Sequence, residues 1–183
     1  VIGAGMIANA GHIPGWKSVG DDVEVVAVAN PTLEKAQLTA ANEGIAHVYD
    51  DWRQMLDEMD LDIVSVCTPN AYHKEQTIAA VEAGAHVFCE KPIATCCDDA
   101  AAMYAAAEAA GRRLFVTQTA RFSSGSMAAK EIAASGQLGE IYYAECFFMR
   151  RRGIPNWGRF HMKGDSAAGP LYDLGVHMVD KIL

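Results

Sequence analysis

The sequence lacks the features that mark several large functional classes. Its longest run of basic residues is the triplet at 150–152 and its net charge at pH 7 is −8, so nucleic acid and anionic membrane surfaces are not expected partners. Its apolar runs are much shorter than the roughly 20 residues that span a bilayer. Its six histidines show no H-x3-H or H-E-x-x-H spacing, so we expect no metal site.

The cysteines do not form a recognisable disulfide or metal-binding pattern. There are five of them, an odd number, and no two form a C-x-x-C pair. Cys67 and Cys89 lie in strand-like apolar runs, where a free cysteine behaves as a small apolar side chain. The sequence therefore predicts a protein of a reducing compartment, the cytoplasm.

What remains is the composition of an ordinary globular protein, with 183 residues, 51% of them hydrophobic and 21% charged. This length suits one large domain, or one domain and part of a second. The first two residues, Val1 and Ile2, read as the tail of a strand, and the last residues read as a helix without a stop signal. We therefore expect a fragment that is truncated at both ends.

Strand-like and helix-like segments alternate through the first two thirds of the chain. The apolar strands are nearly continuous, as in a parallel sheet that is covered by helices on both faces. We expect a doubly wound sheet that binds its ligand at the carboxyl ends of the strands. The predicted strands after Val1–Ile2 cover 23–29, 62–68, 85–89 and 113–117, and the predicted helices cover 6–18, 32–43, 51–59, 75–83 and 98–110.

The pattern changes after residue 119. A helix is predicted over 125–135, and residues 139–150 alternate like a long strand of a more open sheet. The sequence thus predicts a dinucleotide-binding domain at 1–119 and the incomplete start of a second domain at 120–183.

A glycine turn comes first among the motifs that carry chemistry. Residues 3–8 read GAGMIA, a G-x-G-x-x-A turn between a strand and a helix. In such a turn the first glycine permits the sharp bend, the second admits a pyrophosphate, and the third small residue lets the helix pack on the sheet. Because it opens a strand–helix–strand unit, we assign Gly3, Gly5, Met6, Ile7 and Ala8 to a dinucleotide site.

The residue at the end of the second strand bears on which dinucleotide binds. An acidic residue there holds the ribose 2′-hydroxyl of NAD, and this chain has Asn30 followed by Pro31 and Thr32. Asn30 either contacts the ribose or begins the turn before Pro31. The cofactor is NAD or NADP, and NAD is favoured because no cation follows to bind an extra phosphate.

Two further strand ends carry polar residues. Thr68, Pro69, Asn70 and His73 follow one strand and could either line the cofactor groove or cap the next helix. Glu90 and Lys91 follow another strand and precede a proline, so they form either part of a site or a solvated loop.

Near the end of the chain, Asp173 and His177 are four residues apart, and Asp180 follows on the same helical stripe. A carboxylate one turn from an imidazole can orient it as a general base. The alternative is a helix N-terminal aspartate beside a packed histidine.

Taken together, the segments GAGMIA, CTPNAYH, CEKPIA and GPLYDLGVH resemble the glucose–fructose oxidoreductase/inositol dehydrogenase/MocA (Gfo/Idh/MocA) family over nearly the whole chain. The resemblance implies an N-terminal Rossmann domain and a C-terminal α/β domain with an open, largely antiparallel sheet that often forms an oligomer. It also implies that the Lys91–Pro92 bond is cis.

The resemblance assigns catalytic roles to Lys91, Asp173 and His177. It assigns cofactor binding to a larger set: Gly3, Gly5, Met6, Ile7, Ala8, Asn30, Thr68, Pro69, Asn70, His73, Glu90, Lys91 and Gln118. Arg121 would begin the segment that crosses between the domains near the nicotinamide, and residues 150–158 would form a loop near the substrate.

The function implied is hydride transfer between a nicotinamide cofactor and a carbinol carbon of a sugar or polyol. Two alternatives stay open: a redox-neutral, NAD-dependent glycosidase of the same fold, and a non-catalytic nicotinamide-binding sensor. The expected partners are a small sugar or polyol and further copies of the chain, without nucleic acid or membrane.

Overall fold

A computed structural model describes residues 1–149, 151, 169 and 171–183 of the chain. The chain divides into two compact units, Val1–Val116 and Thr117–Leu183. No helix within the described ranges is long and apolar enough to cross a membrane, and their His, Cys, Asp and Glu side chains form no group of three or more that could hold a metal ion.

The first unit is built on a parallel sheet. Its strands are β1 (Ala27–Ala29), β2 (His47–Tyr49), β3 (Ile63–Val66), β4 (His86–Cys89) and β5 (Leu114–Val116). β1 pairs with β2, and β4 pairs with both β3 and β5, always in parallel. Ile2 bridges Ala29 on one side and Val66 on the other, so the order across the sheet is β2, β1, Ile2, β3, β4, β5. The parallel, doubly wound arrangement is the one that the sequence predicts, but β2 was not among the predicted strands.

Helices cover both faces of this sheet. A π-helical turn Ala8–His12 leads into α1 (Ile13–Lys17), and α2 (Leu33–Glu43), α3 (Trp52–Glu58), α4 (His73–Glu82) and α5 (Cys97–Ala109) follow. Val28 packs in one apolar cluster with residues of α1 and α2. Its neighbours Ala27 and Ala29 pack in the other cluster with residues of α3, α4 and α5. Because successive strand residues point to opposite faces, the two clusters lie on opposite sides of the sheet.

The predicted elements of this unit are confirmed, with shifted ends. The strand expected over 23–29 is reduced to Ala27–Ala29. The helix predicted over 6–18 continues through Pro14. Pro14 lies in the first turn of α1, where its missing N–H is not needed, and the irregularity falls instead in the preceding π-helical turn.

The second unit contains a short 3-10 turn at Thr119–Phe122 and α6 (Ser124–Ala134), then a π-helical turn Leu171–Gly175 and α7 (Val176–Ile182). The strand predicted over 139–150 is wrong for the described residues, since 139–149 contain no strand. A strand needs a neighbouring strand to receive its backbone hydrogen bonds, and within the described residues this segment forms no strand pairing. The side chains of Tyr142, Phe147 and Met149 are exposed as a result.

Candidate functional site

The predicted site residues of the first unit meet at one edge of the sheet. Gly3 follows the bridging residue Ile2, Asn30 follows β1, Thr68 comes two residues after β3, and Glu90 follows β4. All four chain segments run in parallel, so these residues lie at the carboxyl edge. In a doubly wound sheet this is the edge at which ligands bind.

The two glycines of the turn differ in what surrounds them. Gly3 has φ +98°, and a Cβ there would lie 2.8 Å from the carbonyl oxygen of Cys67. The backbone conformation and the close approach both require glycine. A Cβ on Gly5 would meet no atom within 4 Å, so this part of the turn presents bare backbone to open space. Ala8 is fully buried, as predicted for the small residue that packs the helix on the sheet.

Asn9 holds the glycine turn from inside, a role that the sequence analysis missed. Its side-chain amide donates to the carbonyl of Gly5 at 2.8 Å and to that of Ala4 at 3.2 Å. Its Oδ1 accepts a hydrogen bond from the Thr39 hydroxyl at 3.0 Å. Asparagine is prone to bond nearby backbone groups, so its position just after the turn was a usable signal.

Asn30 is bonded on both sides of its carboxamide. Oδ1 accepts from the backbone N–H of Ala4 at 3.1 Å, and Nδ2 donates to the carbonyl of Thr32 at 2.9 Å. The second bond makes the turn that one interpretation of the sequence expects. The first bond, which was not predicted, ties the glycine turn to the end of β1.

The segment after β3 forms a short, well-bonded turn. The Thr68 hydroxyl donates to Oε1 of Gln76 on α4. Asn70 is buried and begins the 3-10 turn Asn70–Tyr72, while Pro69 is exposed. Thr68 is partly exposed at the strand end, where it can face a bound ligand.

His73 is the first residue of α4, which matches the interpretation that this segment caps the next helix. Its ring is fully buried, with Nε2 2.9 Å from the carbonyl oxygen of Thr68 and Nδ1 2.9 Å from that of Pro92. The ring therefore links the segments after β3 and β4 instead of lining the groove with its own atoms. A neutral ring has one N–H and donates to one of these carbonyls. Burial lowers the pKa of His73, and the two carbonyls oppose this shift with a smaller effect.

Glu90 and Lys91 begin the segment after β4. The Glu90 carboxylate is contacted by Nε2 of His12 at 3.0 Å and accepts from the backbone N–H of Lys91 at 3.2 Å. Lys91 is partly buried, and its bond to Pro92 is cis, as the resemblance implies. His12 was not singled out in the sequence analysis, because nothing local to residue 12 points to a partner 78 residues away.

The thiols near this edge are poor nucleophiles. Cys67 and Cys89 are buried. Burial raises the pKa of the Cys67 thiol well above its usual range and that of Cys89 to about 12. Both groups are therefore neutral at physiological pH and act as apolar side chains.

The second unit contains the other predicted catalytic residues. Asp173 lies in the π-helical turn and His177 is the second residue of α7; both are partly buried. Asp180 lies in α7 with His177 and pairs with Arg121: the guanidinium Nε lies 3.0 Å from Oδ2, and a second nitrogen bonds Oδ1. Arg121 thus joins the 3-10 turn Thr119–Phe122 to α7. Lys91 belongs to the first unit.

Two predicted positions remain in the second unit. The side-chain oxygen of Gln118 is buried, and no group within the described ranges hydrogen-bonds to it, so it can accept a bond from a ligand donor. Of the predicted substrate loop at 150–158, only Arg151 belongs to the described residues; the others lie outside them.

The chemistry of these residues fits a dinucleotide. The open backbone at Gly5 and the first amides of a helix are the groups that bind a pyrophosphate. Met6 and Ile7, both exposed, offer an apolar surface beside it. Gly3, Gly5 and Ala8 therefore have the surroundings that a pyrophosphate site requires.

Comparison with known proteins agrees with this geometry. Residues 1–118 match the sequence model of the family described as an oxidoreductase family with an NAD-binding Rossmann fold, and residues 126–183 match the GFO/IDH/MocA C-terminal domain. The cofactor of this family of domains is a nicotinamide dinucleotide, NAD or NADP.

Three similar proteins illustrate the relationship. D-glucoside 3-dehydrogenase of Escherichia coli K12 is 41% identical over 180 residues, which are 98% of this chain and 51% of that protein. The crystal structure of an NAD-binding protein from Listeria innocua is 31% identical with a TM-score of 0.88, over 99% of this chain and 52% of that one. The WlbA dehydrogenase of Bordetella pertussis, solved with NADH and UDP-GlcNAcA, is 32% identical with a TM-score of 0.73, over 77% and 42%.

The chain spans about half the length of the curated relatives that it matches. Both family matches fall on the parts of the chain where the glycine turn, Lys91 and the Asp173–His177 segment lie. The fold class that the sequence predicts is confirmed, and the chain belongs to the Gfo/Idh/MocA family of oxidoreductases.

Proposed function

We propose that the full-length protein is an NAD(P)-dependent dehydrogenase that oxidises a carbinol of a sugar, glycoside or polyol, or reduces the corresponding ketone. The observation that carries the proposal is the shared edge of the first unit, where the open glycine turn and the Glu90–Lys91 segment both follow parallel strands. The similarity to a glucoside dehydrogenase supports a sugar as the substrate.

The cofactor would be held by the residues at this edge. Gly3, Gly5 and Ala8 shape the turn for the pyrophosphate, and Met6 and Ile7 cover one side of it. Asn30 lies at the position that meets the adenosine ribose, and Gln118 offers an acceptor to the nicotinamide end. When bound, the nicotinamide accepts or delivers the hydride.

Three side chains of the protein would serve the proton chemistry. Lys91 donates a hydrogen bond to the carbinol oxygen and stabilises the negative charge that develops there. His177 takes the hydroxyl proton as a general base, and Asp173 orients its ring. In this proposal the domain 1–119 supplies cofactor binding and Lys91, and the domain 120–183 supplies Asp173 and His177.

The setting of the enzyme follows from the same proposal. An odd number of cysteines, two of them buried in strand ends as apolar side chains, supports the cytoplasm. The resemblance to the family supports a homo-oligomer formed through the C-terminal domain.

The test follows reduction of NAD⁺ and NADP⁺ by the full-length protein with a panel of glucosides, aldoses, inositols and sugar acids. Lys91→Ala and His177→Ala should each lower kcat by ~10²–10⁴-fold, and His177→Ala should retain cofactor affinity. Lys17→Ala is the matched control, since Lys17 is exposed and bonds to Glu43 at the end of α2, and it should leave kcat unchanged.

Three other outcomes would contradict parts of the proposal. Cofactor binding without reduction by any member of the panel would refute the dehydrogenase. Release of the leaving group from an aryl glycoside under those conditions would identify the redox-neutral glycosidase instead. Wild-type turnover in His177→Ala would remove His177 from the mechanism.

A further inference from the structure

The carboxylate of Glu90 is contacted at both of its oxygens by groups of the first unit. Oε1 lies 3.0 Å from Nε2 of His12, and Oε2 accepts a hydrogen bond from the backbone N–H of Lys91 at 3.2 Å. The side chains of His12 and Glu90 are only 8% and 10% exposed. Since a carboxylate has no proton to give, the ring of His12 must be the donor through Nε2.

The His12–Glu90 pair joins two segments that are far apart in sequence. His12 ends the π-helical turn that follows the glycine turn, and Glu90 follows β4. The backbone N–H of Glu90 also bonds to the carbonyl of Val66 at 3.0 Å, which fixes the main chain at the strand end. The side chain of Glu90 therefore extends from a fixed backbone, and His12 and the Lys91 amide each contact one of its oxygens.

This arrangement acts on Lys91 through its main chain. The Lys91 amide donates to a carboxylate, and charge-assisted bonds of this kind are stronger than bonds between neutral groups. A nearly buried carboxylate that loses one hydrogen-bond donor is more stable when it turns toward water. Loss of His12 would thus remove one donor from Oε1, favour a rotation of the carboxylate, and weaken its bond to the amide of Lys91.

We propose that His12 is a positioning residue, which holds the Glu90 carboxylate and thereby sets the direction of the Glu90–Lys91 turn and of the Lys91 side chain. The proposal rests on the role given to Lys91 under the proposed function. His12 itself needs no contact with the substrate or the cofactor.

The first experiment compares variants of the full-length enzyme. His12→Phe keeps the planar ring but removes the donor, and His12→Gln restores an N–H donor. His47→Gln is the matched control, because His47 is an exposed histidine on β2. His12→Phe should lower kcat by ~10–100-fold, the loss expected from a misplaced catalytic group, with little change in the Kd of NADH. His12→Gln should recover most of kcat.

A double-mutant cycle tests whether His12 acts through Glu90. If His12 acts through Glu90, then His12→Phe combined with Glu90→Gln should lower kcat no further than the more damaging single variant. If the double variant loses kcat by the product of the two single losses, His12 does not act through Glu90, and the proposal is overturned. Parallel losses of kcat, NADH affinity and thermal stability, without recovery in His12→Gln, would assign His12 a merely structural role.

The second experiment does not depend on the reaction. Amide hydrogen exchange, followed by mass spectrometry, should become faster in the peptide containing Glu90 and Lys91 in His12→Phe, and should stay unchanged there in His47→Gln. If no sugar is oxidised by the wild-type protein, the proposed function fails while this measurement still decides the role of His12. Unchanged exchange, or wild-type kcat in His12→Phe, would overturn the inference.

Discussion

The backbone N–H of Ala4 donates to the side-chain oxygen of Asn30 at 3.1 Å. This bond joins the residue that ends β1 to the turn between Gly3 and Gly5. The residue proposed to meet the ribose and the turn proposed to bind the pyrophosphate are therefore one hydrogen-bonded unit. A change at residue 30 acts on both parts of the cofactor site.

Asn30→Asp should shift cofactor preference toward NAD. The carboxylate still accepts from Ala4, but it adds a negative charge that repels the 2′-phosphate of NADP. A repulsion of about 1 kcal/mol, the value for two charges 4 Å apart in water, weakens NADPH binding by roughly 5-fold relative to NADH. Fluorescence titration of the full-length protein with NADH and NADPH measures both Kd values.

The control for this change is Asn30→Ala, which removes the bonds to Ala4 and Thr32 without adding charge. It should weaken NADH and NADPH binding by similar factors. Equal loss of both cofactors in Asn30→Asp would show that residue 30 acts on the turn alone.

The two glycines of the turn should respond differently to the same substitution. Gly3→Ala places a methyl group 2.8 Å from a backbone oxygen at a φ of +98°, which costs about 1–3 kcal/mol of stability and weakens NADH binding. Gly5→Ala meets open space, so it should leave Tm unchanged and weaken NADH binding alone. Thermal unfolding and NADH titration of both variants separate the effects. Wild-type affinity for NADH in Gly5→Ala would show that the pyrophosphate does not bind at Gly5.

The contrast between these glycines shows what sequence can predict here. The strand–turn–helix pattern is local, so the glycine turn, the alternation of elements and the parallel sheet were all predictable. The close approach at Gly3 depends on Cys67, which follows β3 and is far away in sequence, and no local pattern contains that information.

The histidines show the same limit more sharply. The motif around His73 placed it correctly after β3, but its burial between the carbonyls of Thr68 and Pro92 depends on how two strand ends approach each other. His12 carries no local signal, since its partner Glu90 is distant in sequence. The predicted strand at 139–150 failed among the described residues for a related reason: alternation indicates a half-buried strand, but pairing requires a neighbour.

Stability should fall in mild acid because of His73. Burial holds the pKa of His73 below its ordinary value, so the unfolded chain binds this proton at a higher pH than the folded chain. The protein is therefore fully stabilised above about pH 6.5, the ordinary pKa, and loses free energy of unfolding as the pH falls toward the lower folded pKa. One proton contributes at most about 1.4 kcal/mol per pH unit.

His73→Gln cannot take up a proton, so its free energy of unfolding should change less between pH 7.5 and 5.5 than that of the wild type. Urea unfolding at several pH values measures, for each protein, the slope of the free energy of unfolding against pH. His47→Gln removes an exposed histidine and should keep the wild-type slope. A slope in His73→Gln equal to that of the wild type would mean that the proton is taken up elsewhere.

The pair formed by Arg121 and Asp180 should stabilise α7, the helix that contains His177. The Asp180 side chain is 10% exposed and that of Arg121 is 53% exposed. Replacing Arg121 by Gln leaves a nearly buried carboxylate without its guanidinium, which is more damaging than the loss of an exposed pair. We expect Arg121→Gln and Asp180→Asn each to lower Tm and kcat of the full-length protein.

The two substitutions should not add. Once Arg121 is lost, Asp180→Asn removes the uncompensated charge, so the double variant should be at least as stable as Arg121→Gln alone. Arg53→Gln is the control: its guanidinium pairs with Glu75, and both side chains are more than half exposed, so Tm should barely change. Additive losses in the double variant would show that Arg121 and Asp180 stabilise the unit through separate contacts.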